Sequence, residues 1–161
     1  MKLRLLMMLS CLLLSSAPSL AQSTPEKAPD MATELRNAFN EVNGWVTKAA
    51  EAVPADKYNY RPVDTVRTFG QLIGHITDSY NYFCAQGVGN KVEWSEAIEK
   101  GGTDKDTLLP KLKEAVSKCN AAYSSNNTQL RPLFTNVGHT SLHYGNIITY
   151  MRMIGLKPPS S

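Results

Sequence analysis

The sequence has few of the residues from which most metal and redox sites are built. Among 161 residues there are three cysteines and three histidines. Three cysteines cannot make a four-thiolate zinc ribbon or a disulfide-dense scaffold. No glycine-rich loop of the Walker or Rossmann kind is present, so phosphate binding by that device is excluded. Charge of one sign is also scarce. Seventeen Lys and Arg face fourteen Asp and Glu, a net charge of +3, and no basic cluster marks a nucleic-acid surface. Strand-like alternation, internal repeats and low-complexity tracts are missing as well.

Only the N-terminus carries a long apolar run. Lys2 and Arg4 precede Leu5 to Leu14, and Ser19-Leu20-Ala21 supplies a small-x-small cleavage sequence. This is the pattern of a secretory signal peptide. The run is too short for the roughly 20 residues a membrane helix needs, and Cys11 lies inside it rather than after it, unlike a lipoprotein cysteine. The expected organisation is a signal peptide at 1–21, a flexible leader at 22–29, one helical domain at 30–157 and a tail at 158–161. The protein is then exported, periplasmic or secreted, with no membrane attachment after cleavage. Cleavage removes Lys2 and Arg4, so fifteen basic residues face fourteen acidic ones, a net charge of +1 on 140 residues. Two cysteines remain, Cys84 and Cys119.

Four helical periods follow. Met31, Leu35, Ala38, Val42, Trp45, Ala49 and Val53 recur at steps of three or four, with Asp30 placed as N-cap and Pro54 as the end. Residues 54–67 read as a connection. Thr68-Phe69-Gly70-Gln71 is a capping box opening a second helix through Leu72, Ile73, Ile76, Tyr80 and Phe83, with Gly87 as its stop. Residues 88–102 are polar, Trp94 being their one large apolar side chain. That connection is longer than the 2–8 residues usual between helices, so the third helix has room to run parallel to the second. It starts near Thr103 or Asp106, carries Leu108, Leu109, Leu112, Ala115, Val116 and Cys119, and ends near Tyr123, with Pro110 expected in its first turn. Ser124 to Gln129 is a loop. A fourth helix opens at Pro132, continues through Leu133, Phe134, Val137, Leu142, Ile147, Ile148, Met151 and Ile154, and stops at Gly155 and Pro158-Pro159. The reading is an all-α four-helix bundle with a long connection between helices 2 and 3.

The histidines are His75 on the second helix and His139 and His143 on the fourth. Residues four apart share a helix face, with Cβ atoms about 5–6 Å apart, so His139 and His143 can reach one ion. If the bundle brings His75 to the same place, three imidazoles form a metal site with an open position, the form of catalytic zinc sites. Three histidines alone do not choose the metal. Asp78, one turn from His75, is a candidate to orient it, as are backbone carbonyls. No Asp or Glu stands near the histidines on the last helix to act as base. Tyr58, Tyr60, Arg61, Tyr144 and Asn146 are candidates for a substrate pocket, with packing at the bundle end as the competing role. On parallel helices Cys84 and Cys119 lie about level, either bridged or as two buried thiols. The alternative to a metal centre is a structural bundle with histidines on its surface.

Three blocks carry a family resemblance: Val53-Pro54-Ala-Asp56-Lys-Tyr58-Asn-Tyr60-Arg61-Pro62, then Thr68-Phe69-Gly70-Gln71-Leu72-Ile73-Gly74-His75-Ile76, then His139-x-x-x-His143-x-Gly145-Asn146-Ile147-Ile148-Thr149-Tyr150-Met-Arg152-x-x-Gly155-x-Lys157-Pro158-Pro159. Together they resemble the DinB-like family of helical bundles. The resemblance implies parallel second and third helices, often a homodimer, and a three-histidine metal site at His75, His139 and His143. It implies a divalent metal, zinc or nickel first, with iron or manganese in some relatives. It implies a metal-dependent hydrolase or transferase acting on a small molecule. The missing acidic residue on the last helix favours the alternative, a non-enzymatic metal- or ligand-binding bundle.

Overall fold

A computed structural model describes residues 30–161. The expected signal peptide (1–21) and leader (22–29) lie outside the described residues. The described chain forms four α-helices and no strand: α1 (Met31–Ala52), α2 (Phe69–Gly87), α3 (Lys105–Tyr123) and α4 (Leu130–Met153).

Local chemistry sets most of the boundaries. Asp30 caps α1, its carboxylate accepting from the Thr33 N–H at 2.9 Å. The α2 capping box is complete. The Thr68 hydroxyl accepts from the Gln71 N–H at 3.1 Å, and the Gln71 side chain accepts from the Thr68 N–H at 2.8 Å. Asp104 caps α3 through the Thr107 N–H at 2.9 Å. Each such cap contributes about 1 kcal/mol. α4 has no side-chain cap. The Gln129 N–H instead donates to the Gly87 carbonyl at 2.8 Å, tying the start of α4 to the end of α2.

Three expected positions shift. Gly87 is still helical, and Gly89, at φ 87°, is the residue that stops α2. The Gly89 N–H reaches the Gln86 carbonyl and the Asn90 N–H reaches that of Ala85, the Schellman arrangement. Gly87 serves close packing, since a Cβ there would lie 2.5 Å from Leu133 Cδ2. Helix α3 begins at Lys105, within the expected range, and Pro110 falls in its second turn rather than its first. Pro132 is the third residue of α4 rather than the first, still among the first four N–H positions that have no helical partner.

The Cys84–Cys119 disulfide, with Cα atoms 5.1 Å apart, joins the C-terminal halves of α2 and α3. Gly70 abuts Thr103 at their N-terminal ends. The two helices are therefore parallel, as the long connection predicts. α4 runs antiparallel to α2, since Gly87 meets Leu133 while His75 meets His139 and His143. Phe39, wholly buried, stacks on Tyr123 and meets Tyr80 edge-on. Leu72, Ile73, Ile76, Leu112, Ile147 and Met151 belong to the same core, almost wholly excluded from solvent. Each contributes roughly 1.5–3 kcal/mol by leaving water.

α2 is buried nearly all round from Phe69 to Tyr80, more than contact with neighbouring helices alone requires. The α2–α3 connection covers its remaining side. A Cβ on Gly70 would lie 2.8 Å from Thr103 Cβ, and one on Gly74 would lie 2.7 Å from Glu99 Cα. Two glycines one turn apart make a flat seat on which this backbone rests. The seat delivers Glu99 to the helix that carries His75.

Candidate metal centre

His75 projects from α2, and His139 and His143 from α4. Nε2 of His139 lies 3.2 Å from Nε2 of His75 and 3.2 Å from Nε2 of His143. The three ligand atoms all lie within 4.8 Å of one another. The rings are splayed at interplanar angles of 46° to 82°, so their Nε2 corners converge while the ring bodies diverge. His75 and His143 are buried and His139 is half-buried.

The protonation pattern suits a cation. Nδ1 of His75 lies 2.8 Å from Oε2 of Glu99. A carboxylate only accepts, so Nδ1 carries the proton and the Nε2 lone pair is free. Burial, reinforced by neighbouring His75 and Arg67, lowers the His139 pKa to about 4. Burial, then His139, His75 and Arg67, does the same for His143, with Glu99 pulling weakly the other way. Both are therefore neutral at neutral pH, the form a metal requires. Lone pairs on neutral rings repel at this separation unless a proton or an ion lies between them. Three imidazole nitrogens fit a borderline divalent ion and leave coordination positions open.

Glu99 holds this arrangement from the side. Its carboxylate accepts from Arg67 Nε at 2.7 Å and from Arg67 Nη2 at 3.3 Å. Asp78 lies one step behind. Its two carboxylate oxygens accept the backbone N–H groups of Ile98 and Glu99, at 3.2 Å and 2.9 Å. Burial raises the Asp78 carboxyl above its ordinary range, opposed by those two hydrogen bonds. The role expected for Asp78 as the partner of His75 thus falls to Glu99, and Asp78 anchors Glu99. Among the described residues, Nδ1 of His139 and of His143 is buried without a partner, so the support is concentrated on His75.

The other candidate residues are dispersed. Tyr58 is buried in the core, its hydroxyl donating to the Ala50 carbonyl at 2.6 Å. Tyr60 packs edge-on against Tyr150, whose hydroxyl donates to the Arg67 carbonyl at 2.9 Å. Arg61 is paired with Asp64 at 2.9 Å on the surface. Tyr144 stacks on Trp45 and hydrogen-bonds Ser160, drawing the C-terminal tail onto the bundle. Asn146 joins Arg67, Glu99 and Tyr150 around a cleft of about 510 Å³. Cys84, in the disulfide, is not a ligand.

Sequence reasoning missed Glu99 and Arg67. Glu99 is 24 residues from His75, and no helix period links them. The usable signal was Gly70 and Gly74, a small-residue groove on a buried helix that implies close approach by backbone.

A family model described as the DinB superfamily matches residues 38–143, about two thirds of the chain, and that span holds all three histidines and Glu99. No curated protein and no solved structure matches. With a four-helix architecture and a match of that extent, the chain belongs to the DinB superfamily.

Proposed function

We propose that this chain is an exported protein that holds a divalent metal, zinc or nickel, at His75, His139 and His143, and uses it for metal-dependent hydrolysis or group transfer on a small molecule. The observation that carries the reading is the convergence of three Nε2 atoms together with the Glu99 carboxylate on His75 Nδ1. A histidine whose second nitrogen donates to a carboxylate is held in one tautomer and is a stronger ligand. When bound, the metal supplies Lewis acidity and lowers the pKa of a water held there toward about 7. Glu99 fixes the His75 ring, and Arg67 fixes Glu99. The cleft lined by Arg67, Glu99 and Asn146 reaches the residues that support His75, not the three histidines themselves.

The first test is elemental analysis of protein purified from its own compartment without chelator, beside a His75→Ala variant. Near-stoichiometric metal in the parent, lost in the variant, is expected. Background metal in both sinks the reading. Intact mass of the same sample checks export, since cleavage after Ala21 leaves a chain beginning at Gln22. Metal-dependent turnover of activated esters, abolished in His143→Ala, then separates an enzyme from a binding module.

A further inference from the structure

Beside the histidines lies an arrangement that metal binding does not require. Trp94 is 40% exposed, although it is the largest side chain of the α2–α3 connection. Its ring centroid lies 5.6 Å from that of His75 and 5.5 Å from that of Tyr82. Tyr82 meets Phe83 at 5.1 Å, and Phe83 meets His139 at 5.8 Å. His139 returns to His75 at 5.1 Å. Five rings thus form a closed circuit, of which two members are ligand histidines. Three of the five, Tyr82, Phe83 and His139, are half-buried. Neighbours in the circuit meet at steep angles, which suits a further ring joining by edge-to-face contact.

The charge balance specifies the other end of the ligand. The three imidazoles are counted neutral. Arg67 and Glu99 cancel as one ion pair and Glu96 and Lys100 as another, and the Asp78 carboxylate is engaged by two backbone N–H groups. A divalent ion then leaves at least one positive charge uncompensated, so an anionic donor is favoured at its open position.

We infer that the site takes a small carboxylic acid bearing an aromatic ring, its carboxylate on the metal and its ring on Trp94, Tyr82 and Phe83. The inference rests on the metal reading above and adds the ligand class.

The test is calorimetric titration of the full zinc-loaded protein with phenylacetate, acetate, cyclohexylacetate and phenethyl alcohol, after zinc content has been measured in each sample. Phenylacetate is expected to bind about tenfold or more tighter than acetate, and severalfold tighter than cyclohexylacetate. Phenethyl alcohol, which keeps the ring and lacks the charge, is expected to bind more weakly than phenylacetate. The preference for the ring should fall toward unity in Trp94→Ala and in Tyr82→Ala, and be kept in Trp94→Phe. Zinc bound with no preference among the acids, or with no acid binding, overturns the ligand assignment and leaves the metal reading intact. An alcohol that binds as tightly as the acid overturns its anionic half. A parent that takes up neither zinc nor nickel defeats both readings.

Discussion

At the scale of single residues, the centre depends on one carboxylate. Glu99 sets the tautomer of His75 and accepts the Arg67 guanidinium. Glu99→Gln keeps the shape and removes the charge, so metal affinity should fall about 10–100-fold. Competition against a chromophoric chelator measures this, and unchanged circular dichroism shows that the fold is kept; parent-like affinity would mean that His75 needs no partner. The second prediction concerns pH. His139 and His143 have native pKa values of about 4 against an ordinary 6.5. Protons are then taken up by the unfolded chain and refused by the native one. The metal-free protein should hold this part of its stability above pH 6.5 and lose it as pH falls toward about 4. Asp78 acts in the opposite sense, because its raised pKa makes protonation favour the native state. A comparison that leaves Asp78 in place isolates the histidines. Urea midpoints of the metal-free parent should fall more steeply across this range than those of a His139→Gln/His143→Gln variant, and parallel curves would refute the account.

At the scale of elements, the two glycines of α2 do for the site what the caps do for the helices. Alanine is ordinarily favoured over glycine inside a helix by about 1 kcal/mol. At Gly74 the new Cβ would lie 2.7 Å from Glu99 Cα, backbone that cannot rotate away. Gly74→Ala should therefore be destabilising, by about 1–3 kcal/mol, and should weaken metal binding by lifting Glu99 from His75. Gly145, on α4, has nothing among the described residues within 4 Å of its Cβ position, so Gly145→Ala should stabilise by up to about 1 kcal/mol with metal affinity unchanged. Opposite signs in thermal melts, with metal affinity weakened in Gly74→Ala alone, are the expected result. The contrast also marks what was legible in the sequence. Asp30, the Thr68–Gln71 box and the i, i+4 histidines are local patterns, and local patterns survive without a structure. The α2–α3 pairing could be anticipated because a long connection permits it. The shift of the α2 stop from Gly87 to Gly89 could not, since a glycine kept for contact with Leu133 looks in sequence like one kept for its φ. Glu99, Arg67 and the Trp94 circuit depend on where a 17-residue connection lies down, which no periodicity records.

At the scale of the whole molecule, α2 is held to its neighbours in two different ways. The disulfide ties it to α3 near its C-terminal end, and a metal at the three histidines would tie it to α4 nearer its start. The bridge closes a loop of 35 residues and should contribute about 2–4 kcal/mol, chiefly by restricting the unfolded chain. A metal that binds only the native state contributes about 4 kcal/mol when free ion stands at a thousand times its dissociation constant. His75 and Cys84 are nine residues apart on one helix, roughly 13 Å along its axis, beyond the 7–10 Å at which mutational effects usually couple. The two contributions should therefore add. Four urea denaturations test this: parent and Cys84→Ala/Cys119→Ala, each with and without zinc. Additivity within about 0.5 kcal/mol is the expected result, with zinc stoichiometry the same in both proteins. A zinc contribution that collapses in the cysteine-free variant would contradict it, and would mean that α2 keeps its histidine in register with α4 only while the bridge to α3 holds the helix in place.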